Sequence, residues 1–321
     1  MNLLPLLALL AQTQFAGLKS APATSTEAKI TVDATTEIPL TVIRGAKPGP
    51  TLAILAGLSG TDYSPITAAQ HLANSLNPAE LSGTLVIVLV ANIPAFLDRS
   101  IYSTLLHTFP GKPDGTTTEK LAHALTTQIL AKADAVVILQ AGGANTMLAP
   151  HVFQFTTGDP KQDAKMAAMA MAFGINYIVT AKPSAASPEA VVLAHAKPVI
   201  KVVCGSFGMT DTRTVDSMTK GSLAMLNMFE MIKDNPGRTR SPVFFDRLTT
   251  VESPRTGQLS AYIQRGQDVH KGDPIFGVSG YNGKNPQIIT APVDGIMISI
   301  VATLPVNKSE TIAVIGTPRI P

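Results

Sequence analysis

With 321 residues, 45% of them hydrophobic and 15% charged, the chain is long enough for one large domain and a smaller one, and too apolar to be disordered through its bulk. Its 25 Lys and Arg against 22 Asp and Glu leave a net charge of +3, with no basic run and no interleaving of basic and aromatic residues, so a nucleic-acid partner is excluded. The single cysteine, Cys204, rules out internal disulfides and a cysteine-based zinc site.

Met1 to Ala11 carries an apolar core (Leu3, Leu4, Leu6, Leu7, Leu9, Leu10) of signal-peptide length, too short to span a bilayer. The expectation is export, with residues 1–23 removed and a secreted or periplasmic protein left without a stable membrane anchor. Ala21-Pro22-Ala23 supplies a small-residue cleavage pattern and Ala16 a second candidate. No cysteine lies near the apolar stretch, which excludes a lipoprotein anchor.

Beyond the leader, Lys29 to Val32 and Ile38 to Ile43 cluster β-formers, and Lys47-Pro48-Gly49-Pro50 is a turn feeding an apolar strand from Thr51. That strand runs into Gly57-Leu58-Ser59-Gly60-Thr61-Asp62, a Gly-punctuated turn at the place where parallel α/β proteins put their chemistry. Ser64-Pro65 reads as N-cap and first residue of a helix through about Asn74. Leu85 to Val90 is an apolar run of strand length, Thr116 to Glu119 a capping box opening a helix to about Lys132, and Ala135 to Leu139 a further buried strand. A helix near Gln162 to Ala172, strands near Asn176 to Val179 and Val199 to Val203, and a long helix from Asp211 to about Lys233 continue the alternation. The pattern predicts a mixed or mainly parallel α/β sheet covered by helices on both faces, over residues 24–237.

Asn235-Pro236-Gly237 ends that regime, and residues 238–321 predict a small all-β domain. The turns Gly266 to Asp273 and Ala291 to Gly295 resemble those of barrel-sandwich domains, but no Met-Lys-Met occurs, so a biotin or lipoate carrier is rejected.

In order along the chain, Ile38-Pro39-Leu40-Thr41-Val42-Ile43-Arg44-Gly45, the strand into Ser59 to Asp62, Phe109-Pro110-Gly111, Asp134 to Val137, Ala291 to Gly295 and Pro305 to Lys308 resemble the succinylglutamate desuccinylase/aspartoacylase family. The resemblance implies a zinc-carboxypeptidase-like fold with a small β-domain near the site, and amide hydrolysis at a zinc. The departures fall on the chemistry. The family's strand ends in Gly-x-His-Gly-x-Glu, and aligned with its His, Glu and later His ligands are Ser59, Asp62 and Gln140. Its general base, a glutamate, falls on Val203, which cannot take a proton, and its Asn-Arg carboxylate clamp falls on Leu106 and His107. No zinc or other cofactor is therefore assigned, and no catalytic residue.

Of the six histidines, no two are spaced as a helical ligand pair, and His107 in the altered loop is the substitute ligand to watch. Arg99 beside Asp98 is a candidate for holding an anionic group, or equally a surface ion pair. Ser59 and Ser206 follow strands next to glycines, but neither sits in Gly-x-Ser-x-Gly. Met166, Met169, Met171, Met218, Met225, Met228 and Met231 fall at helical spacing and read as packing. Three readings stay open. The first is an inactive family member that binds a small acylated amino acid or a peptide, or partners an active relative. The second is an active metal-dependent hydrolase using Asp62, His107 and Gln140 or Asp98, with zinc as its cofactor. The third is a structural protein whose β-domain makes assembly contacts. Oligomeric state is not readable from the chain.

Overall fold

A computed structural model describes residues 14–17, 20–101, 103–233 and 241–319. The leader core Met1 to Ala11 and the boundary Asn235 to Gly237 lie outside the described residues.

The chain opens with β1 (Thr24–Thr31), β2 (Glu37–Arg44) and β3 (Lys47–Leu55), then α1 (Tyr63–Ser75), β4 (Ser82–Val88) and the short α2 (Ile93–Asp98). There follow α3 (Thr117–Leu125), β5 (Ala135–Gln140), β6 (Thr146–Leu148), β7 (His151–Phe155), α4 (Pro160–Phe173), β8 (Tyr177–Ala181), α5 (Pro188–Ala194), β9 (Val199–Val203) and α6 (Thr212–Met228). The C-terminal part is all strand: β10 (Val243–Glu252), β11 (Gly257–Ala261), β12 (Asp268–Val269), β13 (Pro274–Ser279), β14 (Gln287–Thr290), β15 (Gly295–Val301), β16 (Pro305–Val306) and β17 (Thr311–Pro318).

Strands β4, β3, β5 and β9 form a parallel centre. On one side β2 and β1 add antiparallel, and on the other β7 is antiparallel to β9. The sheet is thus mixed, as the alternation of elements predicts. Leu52 to Leu55 and Val136 to Leu139 are almost wholly buried because helices cover both faces. Ile54, Val137, Leu139, Ile200 and Val202 pack under α1, α4 and α6, whereas Ala53, Leu55, Val136, Ile138 and Val199 pack under α3 and α5. Each fully buried aliphatic side chain contributes about 1.5–3 kcal/mol, so this double-faced core dominates the stability.

The C-terminal strands do not hang from the α/β part as a detached unit. Val243 to Phe245 of β10 pair in parallel with β8, and β17, β15 and β12 extend the same sheet. A second sheet, β14-β13-β11-β16, closes over that extension around Val251, Ile275, Phe276, Val278, Met297 and Ile312, which makes the sandwich.

Three local expectations need correction. Lys47 to Pro50 do not form a turn but open β3, with Lys47 paired to Ser82 ahead of a register shift, and the break between strands falls at Gly45 and Ala46. Helix α1 starts at Tyr63 with Asp62 in the cap position, not at Ser64. The Ser64 hydroxyl instead donates to the Met209 carbonyl at 2.9 Å and accepts from the Asp211 amide at 3.2 Å, tying α1 to the loop before α6. Pro65 is tolerated because a first-turn residue needs no amide hydrogen. Helix α6 stops at Met228 instead of continuing to Lys233: Glu230 turns left-handed at φ 56°, and the Met231 carbonyl then accepts from the Ser82 amide beside β4. The capping box at Thr116 and Glu119 forms as expected. Strand β7 and helix α5 are not anticipated, being five and seven residues long and too short for periodicity to register.

Near the N-terminus, Phe15 is 2% exposed and packs in the core with Ile30, Leu40, Leu125 and Leu130. The Lys132 ammonium donates to the Gln14 carbonyl at 2.8 Å. A chain beginning after Ala16 or Ala23 would lack this side chain. Phe15→Ala is therefore expected to destabilise the full-length chain by about 3–5 kcal/mol in urea unfolding, with Phe15→Leu losing less. An unchanged midpoint would show that the residue is no part of the core.

Candidate functional site

The C-terminal ends of β3, β5 and β9 lie together on one edge of the parallel centre, where Ser59, Gln140 and Val203 emerge. In open α/β sheets this edge is where ligands bind. Gly60 makes the turn after β3 possible, since a Cβ there would collide with the Ala95 carbonyl and the Ser100 backbone at the end of α2.

Asp62 is 0% exposed and points into the protein. One carboxylate oxygen accepts from the Ser59 amide at 2.9 Å and the other from the Ala141 amide at 2.8 Å. The side chain makes no cap bond to α1, although it occupies the cap position. It instead joins the loop after β3 to the end of β5. Burial pushes its acidity to about pKa 6, against the opposing pull of the Ala141 and Ser59 amides.

Beside this bridge a cavity of about 350 Å³ is lined by Ser59, Ile101, Ser103, Thr104, Leu106, His107, Gln140, Ala141, Gly142 and Gly143. The 3-10 turn Thr104–His107 supplies one wall and the segment after β5 the other. Ser103 is held by donation of its hydroxyl to the Leu58 carbonyl at 2.7 Å. Ser59, Gln140 and His107 thus share one cavity. Asp98 and Arg99 do not line it; Arg99 is exposed at the left-handed end of α2.

Val203 is the register partner of Gln140 on one side and His151 on the other. His151 is buried, its Nδ1 2.8 Å from the Ala149 carbonyl, and burial pulls the imidazole down to about pKa 4, so it is neutral. Two residues before Val203, the Lys201 ammonium lies 2.6 Å from the buried Glu189 carboxylate and over the Phe153 ring. Ser206 carries no free nucleophile: its hydroxyl oxygen receives the Leu148 amide at 3.1 Å and the Arg265 guanidinium at 2.8 Å. Cys204 is buried, which raises its thiol pKa, and it contacts Thr214.

A catalytic zinc needs three protein ligands converging on an open coordination position. The residues present do not fit one. Asp62 has both oxygens engaged by amides, Ser59 and Gln140 are neutral and poor zinc ligands, and no three His, Cys, Asp or Glu side chains cluster suitably among the described residues. Sequence reading did not single out Ile101, Ser103, Thr104 or Ala141 to Gly143 as cavity walls. The Gly142-Gly143 pair directly after a buried strand was the available signal.

Asp62 titrates with the fold. Its folded-state pKa, about 6, lies above the ordinary 3.8, so its contribution to stability is full below about pH 4 and is lost as pH rises through 6. Asp62→Asn has no proton to lose. The stability difference between wild type and this variant should shift in the variant's favour by up to about 3 kcal/mol between pH 4 and pH 7, read by urea unfolding across that range. A pH-independent difference would refute the assignment.

The succinylglutamate desuccinylase/aspartoacylase catalytic domain matches residues 48–229. An N-alpha-acetyl-L-2,4-diaminobutyric acid deacetylase from Halomonas elongata is 27% identical over 292 residues, covering 87% of this chain and 85% of that protein. The product-bound ectoine utilization protein EutE (DoeB) from Ruegeria pomeroyi superposes with a TM-score of 0.85 at 25% identity, over 93% of this chain and 100% of that one. A succinylglutamate desuccinylase/aspartoacylase from Rhodobacter sphaeroides gives a TM-score of 0.85 at 23% identity, over 93% and 96% of the two chains. With more than half of its length matched by the catalytic domain and its fold shared over 93% of its length, the chain belongs to the succinylglutamate desuccinylase/aspartoacylase family.

Proposed function

We propose that this chain is an exported binding protein built on a deacylase fold, in which ligand recognition persists without zinc-dependent amide hydrolysis. The observation that carries the reading is the state of Asp62. Where the family resemblance places a zinc-binding glutamate, a carboxylate one methylene shorter is turned inward and held by two main-chain amides. Recruiting it to a metal would break both bonds and leave two amide donors without partners, at about 1–3 kcal/mol each. Val203 at the position of the base adds to the case, because an alkyl group accepts no proton from water.

The cavity itself is retained, and its volume of about 350 Å³ lies at the small end of the range for small-molecule sites. The named activity of the Halomonas elongata relative supports a ligand on the scale of a small N-acylated amino acid. The apolar segment from Met1 to Ala11 supports export.

One observation favours the rival reading of a relocated metal centre: His107 and Gln140 line the same cavity. That reading also requires Asp62 to abandon its amides, or exposed Asp98 to reach a cavity it does not line. Elemental analysis of the purified full-length protein, after incubation with zinc and dialysis, separates the two. Zinc far below one per chain, with no acetate released from N-acetyl-2,4-diaminobutyrate, is the expected result. Near-stoichiometric zinc with turnover would overturn the proposal.

A further inference from the structure

The cavity described above differs in charge from one built to hold an acid. Among its described lining residues, His107 is the sole ionisable side chain, and Leu106 stands beside it. The remaining polar groups are the hydroxyls of Ser59, Ser103 and Thr104 and the carboxamide of Gln140. The nearby cations face elsewhere. Lys201 is paired with Glu189, and Arg265 donates to the Leu148 carbonyl and the Ser206 hydroxyl behind the Gly142 wall.

Main-chain donors tell the same story. A carboxylate in a protein is ordinarily held by amide hydrogens or by a guanidinium. The amides of Ser59 and Ala141, both residues of the cavity wall, donate backwards to Asp62. The same arrangement puts a buried acidic group directly behind that wall. A second carboxylate placed in the cavity would meet two main-chain donors already occupied.

The rest of the wall is apolar. Ile101 and Leu106 line the cavity.

From this we infer that the cavity selects uncharged ligands over carboxylates: a secondary or primary amide matched to the Gln140 carboxamide and the hydroxyls, joined to an aliphatic group against Ile101 and Leu106. The inference rests on the binding reading above and narrows it, since free N-acyl amino acids carry the carboxylate that this cavity disfavours.

Calorimetric titration of the full-length protein with N-acetyl-leucinamide and with N-acetyl-leucine, which differ only in the terminal group, tests it. The amide is expected to bind at least about tenfold more tightly, a ratio that corresponds to about 1.4 kcal/mol. Leu106→Arg, which puts a cation at a half-buried wall position whose side chain also packs against the edge of the core, is expected to narrow or invert that ratio by strengthening the acid. If the acid binds as tightly as the amide to the wild type, the selectivity is overturned while the binding reading stands. If neither binds at millimolar concentration, both fall together. A ratio left unchanged by Leu106→Arg, with the variant's melting temperature intact, would also overturn the assignment of this wall as the source of selectivity.

Discussion

The buried carboxylate of Asp62 is the constraint on which the site depends. Two segments distant in sequence, the turn after β3 and the end of β5, present the amide hydrogens of Ser59 and Ala141 to the same carboxylate. One side chain satisfies both. The penalty for burying an acid is offset by two hydrogen bonds to its charged form, and the net result is a group poised close to neutrality instead of far below it. Remove that bridge and the cavity loses the registry of two of its walls, since Ser59 and Ala141 both belong to it.

The same interaction links ancestry to chemistry. A fold that holds a metal needs a carboxylate free to face the cavity; a fold that holds its own loops together needs that carboxylate facing in. Asp62 does the second. The scaffold around it is undisturbed: the parallel centre, the helices on both faces and the C-terminal sandwich all match solved members of the family along nearly the whole chain. Ser59 and Gln140, which the resemblance aligns with metal ligands, line the cavity beside this scaffold.

The C-terminal strands add a further support. Strand β10 continues the main sheet through β8, and Arg265 reaches back to the loop after β9 and to β6. That guanidinium occupies the Ser206 hydroxyl, the one serine near the sheet edge, apart from Ser59, that sequence alone raised as a nucleophile. The sandwich is thereby tied to the loop after β9, and none of its described residues lines the cavity.

Much of this was legible in the residues alone. Continuous apolar runs at Leu52 to Leu55 and Ala135 to Leu139 and the capping box at Thr116 determined strands, a helix start and a sheet buried on both faces, because local propensity and hydrophobic period act over a few residues; the turn expected at Lys47 to Pro50 falls instead inside β3. The identities of Ser59, Asp62, Gln140 and Val203, at the positions the resemblance aligns with ligands and base, were equally visible, being a matter of side-chain chemistry. Tertiary structure alone decided which way Asp62 faces, that Ser64 ties two helices instead of capping one, that Phe15 belongs to the core, and that His107 shares a cavity with Gln140 while Arg99 does not. Each of these depends on a partner 30 or more positions away, and no pattern within a short window of sequence records where the chain will return.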